Sequence, residues 1–369
     1  MKLKKIGKIG IGILVVLLAA LLLFTLATFI VHRNKSKSEL ELLKEKGYYN
    51  PVSVGDYSLN VAKFGNEQGS HTIVSLAGLG MGDYSVTERQ MTESLEKDNL
   101  VVFVDRAGYG LSDDTDSEMT LEYIVEDYRK ALKSADIQAP YILAAHSVGG
   151  AYANYWSSKY PKEIEAVVFL DGSQLDENAF EEEPEFSPNF GDKAYAFLAK
   201  LGFNRYVLRD YSYLYPDNFS EEEQRLSDTL SLMTLDSIAL ISETGMLTEN
   251  AQNAFNQIVT NDIPKLYICA SWGFQTAEEL NENGKWVNRQ IEKNGLDMPK
   301  WPTNYKEDDE KAKKILDNCK KGRQETIHPY AEKMGNCTVA CVPGDHLIYV
   351  QKPDECSKLI QDFIVDLEK

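Results

Sequence analysis

The chain has 369 residues, 43% of them apolar, and a formal net charge of −18. That length exceeds one average domain but suits a single large α/β unit with ample core. Seven basic residues, Lys2, Lys4, Lys5, Lys8, Arg33, Lys35 and Lys37, stand ahead of the first acid, Glu39, so the rest of the chain carries about −25. A body so acidic argues against nucleic acid, which binds through clustered Lys and Arg.

Ile9 to Val31 is an almost unbroken apolar run, interrupted only by Gly and Thr and flanked by basic residues. Its length suits a bilayer-spanning helix; a cleaved signal peptide has a shorter apolar region and an Ala-x-Ala-like exit. Residues 1–38 are therefore expected to form a basic tail and a single transmembrane anchor, and residues 39–49 a stalk. The short basic tail is expected to stay in the cytoplasm, which places the body outside the cell membrane. Oligomeric state is not legible here.

Val52–Val54 and Tyr57–Phe64 alternate around Gly55-Asp56, the pattern of a β-hairpin. Thr72–Leu76 reads as a buried strand running into Ala77-Gly78-Leu79-Gly80, where glycines let backbone N–H groups face a ligand. The G-x-G-x-x-G spacing of a dinucleotide fold is missing. A helix is expected over Tyr84–Lys97 and a strand over Leu100–Val104. The latter ends in D-R-A-G-Y-G-L-S-D, where Asp105 is expected to brace the loop. Thr120 caps a helix to about Ala135, with apolar positions at helical spacing.

Tyr141–Ala145 is a strand, and helical pattern resumes at Val148. Between them Ser147 sits at a sharp turn with Ala145 two residues before it and Gly149 two after, the small-residue frame of a strained nucleophile elbow. A Gly-rich strand-to-helix turn without chemistry fits the same residues. Ile164–Leu170 is another buried strand, ending at Asp171-Gly172-Ser173. Strands alternating with helices, with every such motif at a strand's C-terminal end, predict a mostly parallel sheet covered on both faces.

Residues 174–260 are too long for a loop and helical in pattern over Ala194–Leu201 and Gln224–Thr244, so they read as a lid. Its aromatics, among them Tyr195, Phe197, Phe203, Tyr206, Tyr211, Tyr213 and Tyr215, suit either the lid's own core or a substrate pocket. Lys265–Ala270 and Cys337–Val342 are strands, and Pro353–Leu367 is a closing helix. Residues 272–333 read as a solvated helical insertion without identifiable chemistry. The five cysteines form no zinc pattern, and Cys337 and Cys341 would lie about 13 Å apart along one strand, too far to bond each other. Pairing with Cys319 or Cys356 stays open beside ordinary buried thiols.

Four stretches together, L-A-G-L-G, D-R-A-G-Y-G-L-S-D, P-Y-I-L-A-A-H-S-V-G-G and K-Y-P-K-E-I-E-A-V-V-F-L-D-G-S, resemble the α/β-hydrolase superfamily. The resemblance resumes at Lys265–Ala270 and V-P-G-D-H-L-I-Y-V-Q-K-P-D-E and covers a little over half of the chain. It implies an α/β-hydrolase fold over residues 50–369, with Ser147 as nucleophile and His346 as base and later acid. Backbone N–H groups of Leu79 and Val148 would be the oxyanion donors. The acid departs from the commonest pattern, since the segment after Lys265–Ala270, S-W-G-F-Q-T-A-E-E, has no Asp near its start. Asp171, at a position that some members use, comes first, with Glu278 or Glu279 behind it and a structural turn residue as the plain alternative for Asp171. His146 is expected to point away from the site.

The function implied is a membrane-tethered serine hydrolase acting on a small ester or lipid-like substrate, with no metal or organic cofactor. A Ser nucleophile disfavours the dehalogenase and epoxide-hydrolase branches, which attack with a carboxylate. An aminopeptidase of the proline iminopeptidase type stays open through Glu181, Glu182 and Glu183 of the lid. So does a catalytically silent surface binding protein on the same fold.

Overall fold

The computed structural model describes residues 2–173, 176, 187–207, 217–234 and 237–369. Helix α1 (Lys2–Glu45) is one uninterrupted rod. Its stretch Ile11–Val31 rises about 31 Å at 1.5 Å per residue, close to the ~30 Å hydrocarbon core of a bilayer. Ile11, Leu14, Leu17, Leu22 and Leu26 are all more than half exposed. The last turns do not form a detached stalk: Leu43 is fully buried with Tyr48 and Phe64.

A hairpin of β1 (Pro51–Ser53) and β2 (Ser58–Gly65) follows, then β3 (Thr72–Leu76). Residues 84–95 form helical turns, α2 (Tyr84–Thr87), α3 (Arg89–Thr92) and a 3-10 turn, broken at the buried Glu88 where one helix is expected from sequence. Then come β4 (Leu100–Val104), α4 (Leu121–Ser134), β5 (Tyr141–His146), α5 (Gly149–Lys159) and β6 (Ile164–Leu170). Thr120 caps α4 by accepting from the Tyr123 N–H at 3.2 Å, and Asn250 ties its first residue to the segment beyond β6.

Between β6 and β7 (Lys265–Cys269) lie α6 (Phe190–Lys200), α7 (Asn204–Val207), α8 (Glu221–Thr234), α9 (Ile238–Gly245) and α10 (Leu247–Asn256). Beyond β7 come α11 (Ala277–Lys293), α12 (Glu310–Gly322), α13 (His328–Met334), β8 (Cys337–Cys341), α14 (Ile348–Gln351) and α15 (Pro353–Leu367).

The eight strands form one sheet in the order β1-β2-β4-β3-β5-β6-β7-β8. β2 runs antiparallel to β1 and β4, and the remaining neighbours are parallel. Val, Ile, Leu and Phe fill β3 to β6 without alternation because both faces are covered: α4 and α5 pack on one side, and α3, α14 and α15 on the other. The crossover from β3 out to β4 and back to β5 opens the crevice beside the strand ends that α/β sheets use for ligands. The insertion after β7 is more than a solvated elaboration. Leu280, Val287 and Ile291 lie at helical spacing on α11 and turn inward, and Phe274, Ala277, Leu280, Ala312 and Cys319 make a small core of their own.

Candidate active site

Ser147 lies between β5 and α5 with φ of +52°, in the left-handed region that costs a non-glycine residue about 1–2 kcal/mol. Such strain persists only where packing fixes it. A side chain on Gly149 would come within 2.4 Å of the Leu76 carbonyl oxygen, and one on Gly78 within 2.7 Å of His146 Nδ1. The elbow therefore closes tightly on β3 and its following loop. The Ser147 hydroxyl lies 3.0 Å from that of Ser173.

Asp171, immediately after β6, is also left-handed, with φ of +48°. Its carboxylate is buried and turned toward the neighbouring strand ends. It accepts from Ala270 N–H (2.8 Å), Ser271 N–H (3.2 Å) and the Ser271 hydroxyl (2.5 Å). The loop after β8 brings His346 to it, and Nδ1–H donates to Asp171 Oδ2 at 2.8 Å. Burial alone would raise the pKa of Asp171. The hydrogen bond and charge of His346, with the Ser271 hydroxyl and Ala270 N–H, outweigh burial and hold the carboxyl below its ordinary value. For His346 burial works downward, and the bond and charge of Asp171 prevail and raise the imidazole above its ordinary 6.5.

Glu278 and Glu279 are placed elsewhere. Glu278 is exposed on the first turn of α11. The Glu279 carboxylate turns back on Gln275 N–H and Thr276 N–H while Thr276 caps Glu279 N–H, a reciprocal capping box that occupies it at the helix start. Of the three carboxylates, Asp171 is the one in contact with His346.

The loop after β3 faces the elbow. Among the described residues the N–H groups of Leu79 and Val148 have no acceptor, while Gly80 N–H donates to the Tyr109 hydroxyl at 3.0 Å. Arg106 holds the loop from beneath, a role not legible in the sequence beyond its place in D-R-A-G-Y-G. Fully buried, it donates to the carbonyls of Ala77 (2.7 Å) and Gly78 (2.8 Å) and pairs with the buried Glu243 of α9 at 3.1 Å. With both carbonyls drawn toward Arg106, the Leu79 N–H that follows is left for the crevice. Asp105 braces the next loop as expected from sequence, accepting from Leu111 N–H (3.0 Å) and Asn60 (3.1 Å), and burial pushes its pKa up to about 7.

His146 does not point out of the site. As the last residue of β5 it projects to the face where α2 and α14 pack. There its ring lies 4.8 Å from that of His346 and its Nε2–H donates to the His346 carbonyl at 3.1 Å. Burial and the charge of His346 pull its pKa down to about 3, so it stays neutral and acts as a backbone clamp on the loop that carries His346. The strand alternation of side chains could have shown its direction; the loop waiting on that face could not be read.

A cavity of about 400 Å³ opens beside His346, walled by Phe274, Leu280, Trp301 and Tyr305 of the insertion after β7. The Glu181, Glu182 and Glu183 cluster, together with Tyr211, Tyr213 and Tyr215, lies outside the described residues. All five cysteines are free thiols.

Residues 72–274 match the family described as alpha/beta hydrolase fold. The chain belongs to the α/β-hydrolase fold family. YbdG of Bacillus subtilis (strain 168), itself uncharacterized, is 24% identical over 364 residues, spanning 98% of both chains. Among solved structures, the epoxide hydrolase CorEH is similar with a TM-score of 0.55 at 16% identity, covering 86% of this chain and 99% of its own. The haloalkane dehalogenase DbeA from Bradyrhizobium elkani USDA94 gives 0.50 at 14%, covering 86% and 98%. At such identities these α/β-hydrolase likenesses concern the fold alone.

Proposed function

We propose that the protein is a membrane-anchored serine hydrolase that cleaves carboxylic esters through an acyl-enzyme on Ser147. The observation that carries the proposal is the 2.8 Å contact of His346 Nδ1–H with a buried Asp171 carboxylate. That carboxylate is itself fixed by three donors from the strand end. With Nδ1 protonated toward Asp171, the Nε2 lone pair of His346 is the free base. Ser147, turned outward by its left-handed backbone, rotates from Ser173 toward His346 and attacks the ester carbonyl as Nε2 removes its proton. The N–H groups of Leu79 and Val148 receive the oxyanion. The tetrahedral adduct collapses, His346 gives its proton to the alcohol oxygen, and the acyl group stays on Ser147. Water then repeats the sequence with His346 as base, releasing the acid and restoring the hydroxyl.

The substrate is a small or lipid-like ester. In support, the cavity beside His346 has an apolar, largely uncharged wall, suited to a hydrocarbon or aromatic group of the ester. Ile11–Val31 of α1 is the anchor, with residues 39–49 joining it to a hydrolase body of residues 50–369, and the body lies outside the cell membrane. Residues 174–260 are the lid over the strand ends.

Fluorophosphonate labelling of the full chain tests the nucleophile. A stoichiometric adduct on Ser147 that vanishes in Ser147→Ala is expected; no adduct on the folded protein would leave a silent binding protein on the same fold. Nitrophenyl esters of graded chain length test the substrate class, with long chains expected to be cleaved faster. Hydrolysis of N-terminal prolyl amides in preference to esters would move the assignment to an aminopeptidase.

A further inference from the structure

Outside α1, exposed large apolar side chains concentrate in one short stretch. Phe190, Tyr195, Phe197, Leu198 and Tyr206, all on α6 and α7, are between 41% and 88% exposed. A soluble surface seldom gathers so many exposed aromatics on two short helices, and such a concentration points to a binding face. This one adjoins α1. Phe24 of α1 meets the rings of Phe203 and Tyr206 at 5.9 and 6.2 Å. Gly202, with φ of +86°, lets the two helices close up, since a side chain there would come within 2.4 Å of His32 Cβ. Arg205 then locks them, donating to His32 Nδ1 (2.8 Å), Ser36 (2.9 Å) and both Glu39 oxygens.

Phe24 stands seven residues inside the end of the apolar run, about 10 Å along the helix axis. Whatever packs on Phe24 therefore lies about 10 Å below the end of the apolar run, the depth to which the apolar face of an interfacial helix reaches, about 5–10 Å.

A cleft of about 1080 Å³ lies between α1, α6 and the loop after β4. Apolar Phe29, Ile30 and Ala196 line it together with the cations Arg33, Lys37 and Lys200; along α1 Phe29 and Ile30 come first, and Arg33 and Lys37 about one to two turns later. Those three cations have no carboxylate partner among the described residues, whereas Arg205 is paired with Glu39. The acids at the cleft, Asp113 and Asp114, accept from the backbone N–H groups of Ser58, Ile238 and Ala239 at 2.9–3.0 Å. Three free cations above an apolar floor, in an otherwise acidic body, match a phosphate above acyl chains.

We propose that α6 and α7 lie in the bilayer interface beside α1 and that the cleft between them holds an anionic phospholipid. Its phosphate sits among Arg33, Lys37 and Lys200, and its chains run along Phe29 and Ile30. The proposal rests on α1 spanning the membrane.

The full chain, extracted in neutral detergent and placed in nanodiscs, tests it by native mass spectrometry of retained lipid. With phosphatidylglycerol and phosphatidylcholine of the same chain length, preferential retention of the anionic lipid by at least about tenfold is expected. It should be lost in the combined Arg33→Gln, Lys37→Gln, Lys200→Gln variant, whose substitutions are all at the surface. Equal retention of both lipids, or undiminished retention in the variant, would overturn the proposal. So would complete displacement of the lipid by millimolar inorganic phosphate, which would mark a free-phosphate site. Brominated lipid should quench a Phe197→Trp variant, and absence of quenching would place α6 in water. Protein that leaves membranes in high salt without detergent would refute the anchor itself, an outcome separate from the others.

Discussion

Asp171 illustrates how a buried carboxylate is kept charged: the Ala270 and Ser271 N–H groups, the Ser271 hydroxyl and His346 all converge on its two oxygens. In the proposed mechanism the neutral form of His346 is the base; its pKa is raised, so activity should rise with pH through an acidic limb above 6.5. Asp171→Asn removes the bond and the charge that raise it most, leaving burial, which lowers it, opposed by the charge of Asp345 alone. The limb should therefore move to lower pH while kcat falls by about 10³–10⁴-fold, measurable with a soluble nitrophenyl ester. Ser271→Ala removes one of three supporting donors and should cost about 1–2 kcal/mol of transition-state stabilisation, roughly a tenfold fall in kcat. Asp171 could be ranked first from sequence because it ends a buried strand beside the elbow. Ser271 could not be linked to it, because the two meet only across the β6–β7 ladder, 100 positions apart.

The loop after β3 depends on elements far from it in sequence. Arg106 from the β4 loop holds that loop's carbonyls, Glu243 from α9 neutralises Arg106, and Tyr152 of α5 donates to the same Glu243. Removing one partner of a buried pair leaves the other uncompensated, at about 3–5 kcal/mol. Glu243→Gln should thus lower the unfolding midpoint and slow fluorophosphonate labelling together, since the Leu79 N–H loses its support. Replacing both partners by apolar residues of similar volume should restore much of the stability, as seen by thermal unfolding, yet leave labelling slow. Strands and long helices were legible because their periodicity is strong; Thr120–Ala135 and Pro353–Leu367 match α4 and α15 within a residue. The buried pairing of Arg106 was not, because a charged residue in a Gly-rich turn normally reads as solvent-exposed. The insertion after β7 was misjudged for a related reason: its polar composition hides an apolar stripe on α11 that becomes visible only when Leu280, Val287 and Ile291 are set on one helical face.

At the scale of the whole molecule, the apolar run of α1 was plain in the sequence, but its continuity into the body was not. The charged residues after Val31 read as a short helix or stalk; the helix is there, but it is continuous with the apolar run as α1 to Glu45 and is gripped at His32, Glu39 and Leu43. From His32 to Glu45 the helix rises about 21 Å. A single alanine inserted after Leu40 would turn everything beyond it by about 100°, so either the Arg205 clasp or the Leu43 seat must be given up. Such a variant should stay membrane-bound in sedimentation and still cleave soluble nitrophenyl esters, while losing most activity on esters dissolved in vesicles. Inserting seven residues returns the faces to within about 20° but lifts the body by about 10 Å, so it should not rescue vesicle activity. On the proposed anchoring, the helix works as a caliper: it would fix the altitude and the azimuth of Ser147 relative to the lipid surface. The proposed ester substrate would then be selected by how far it protrudes as well as by what it is made of.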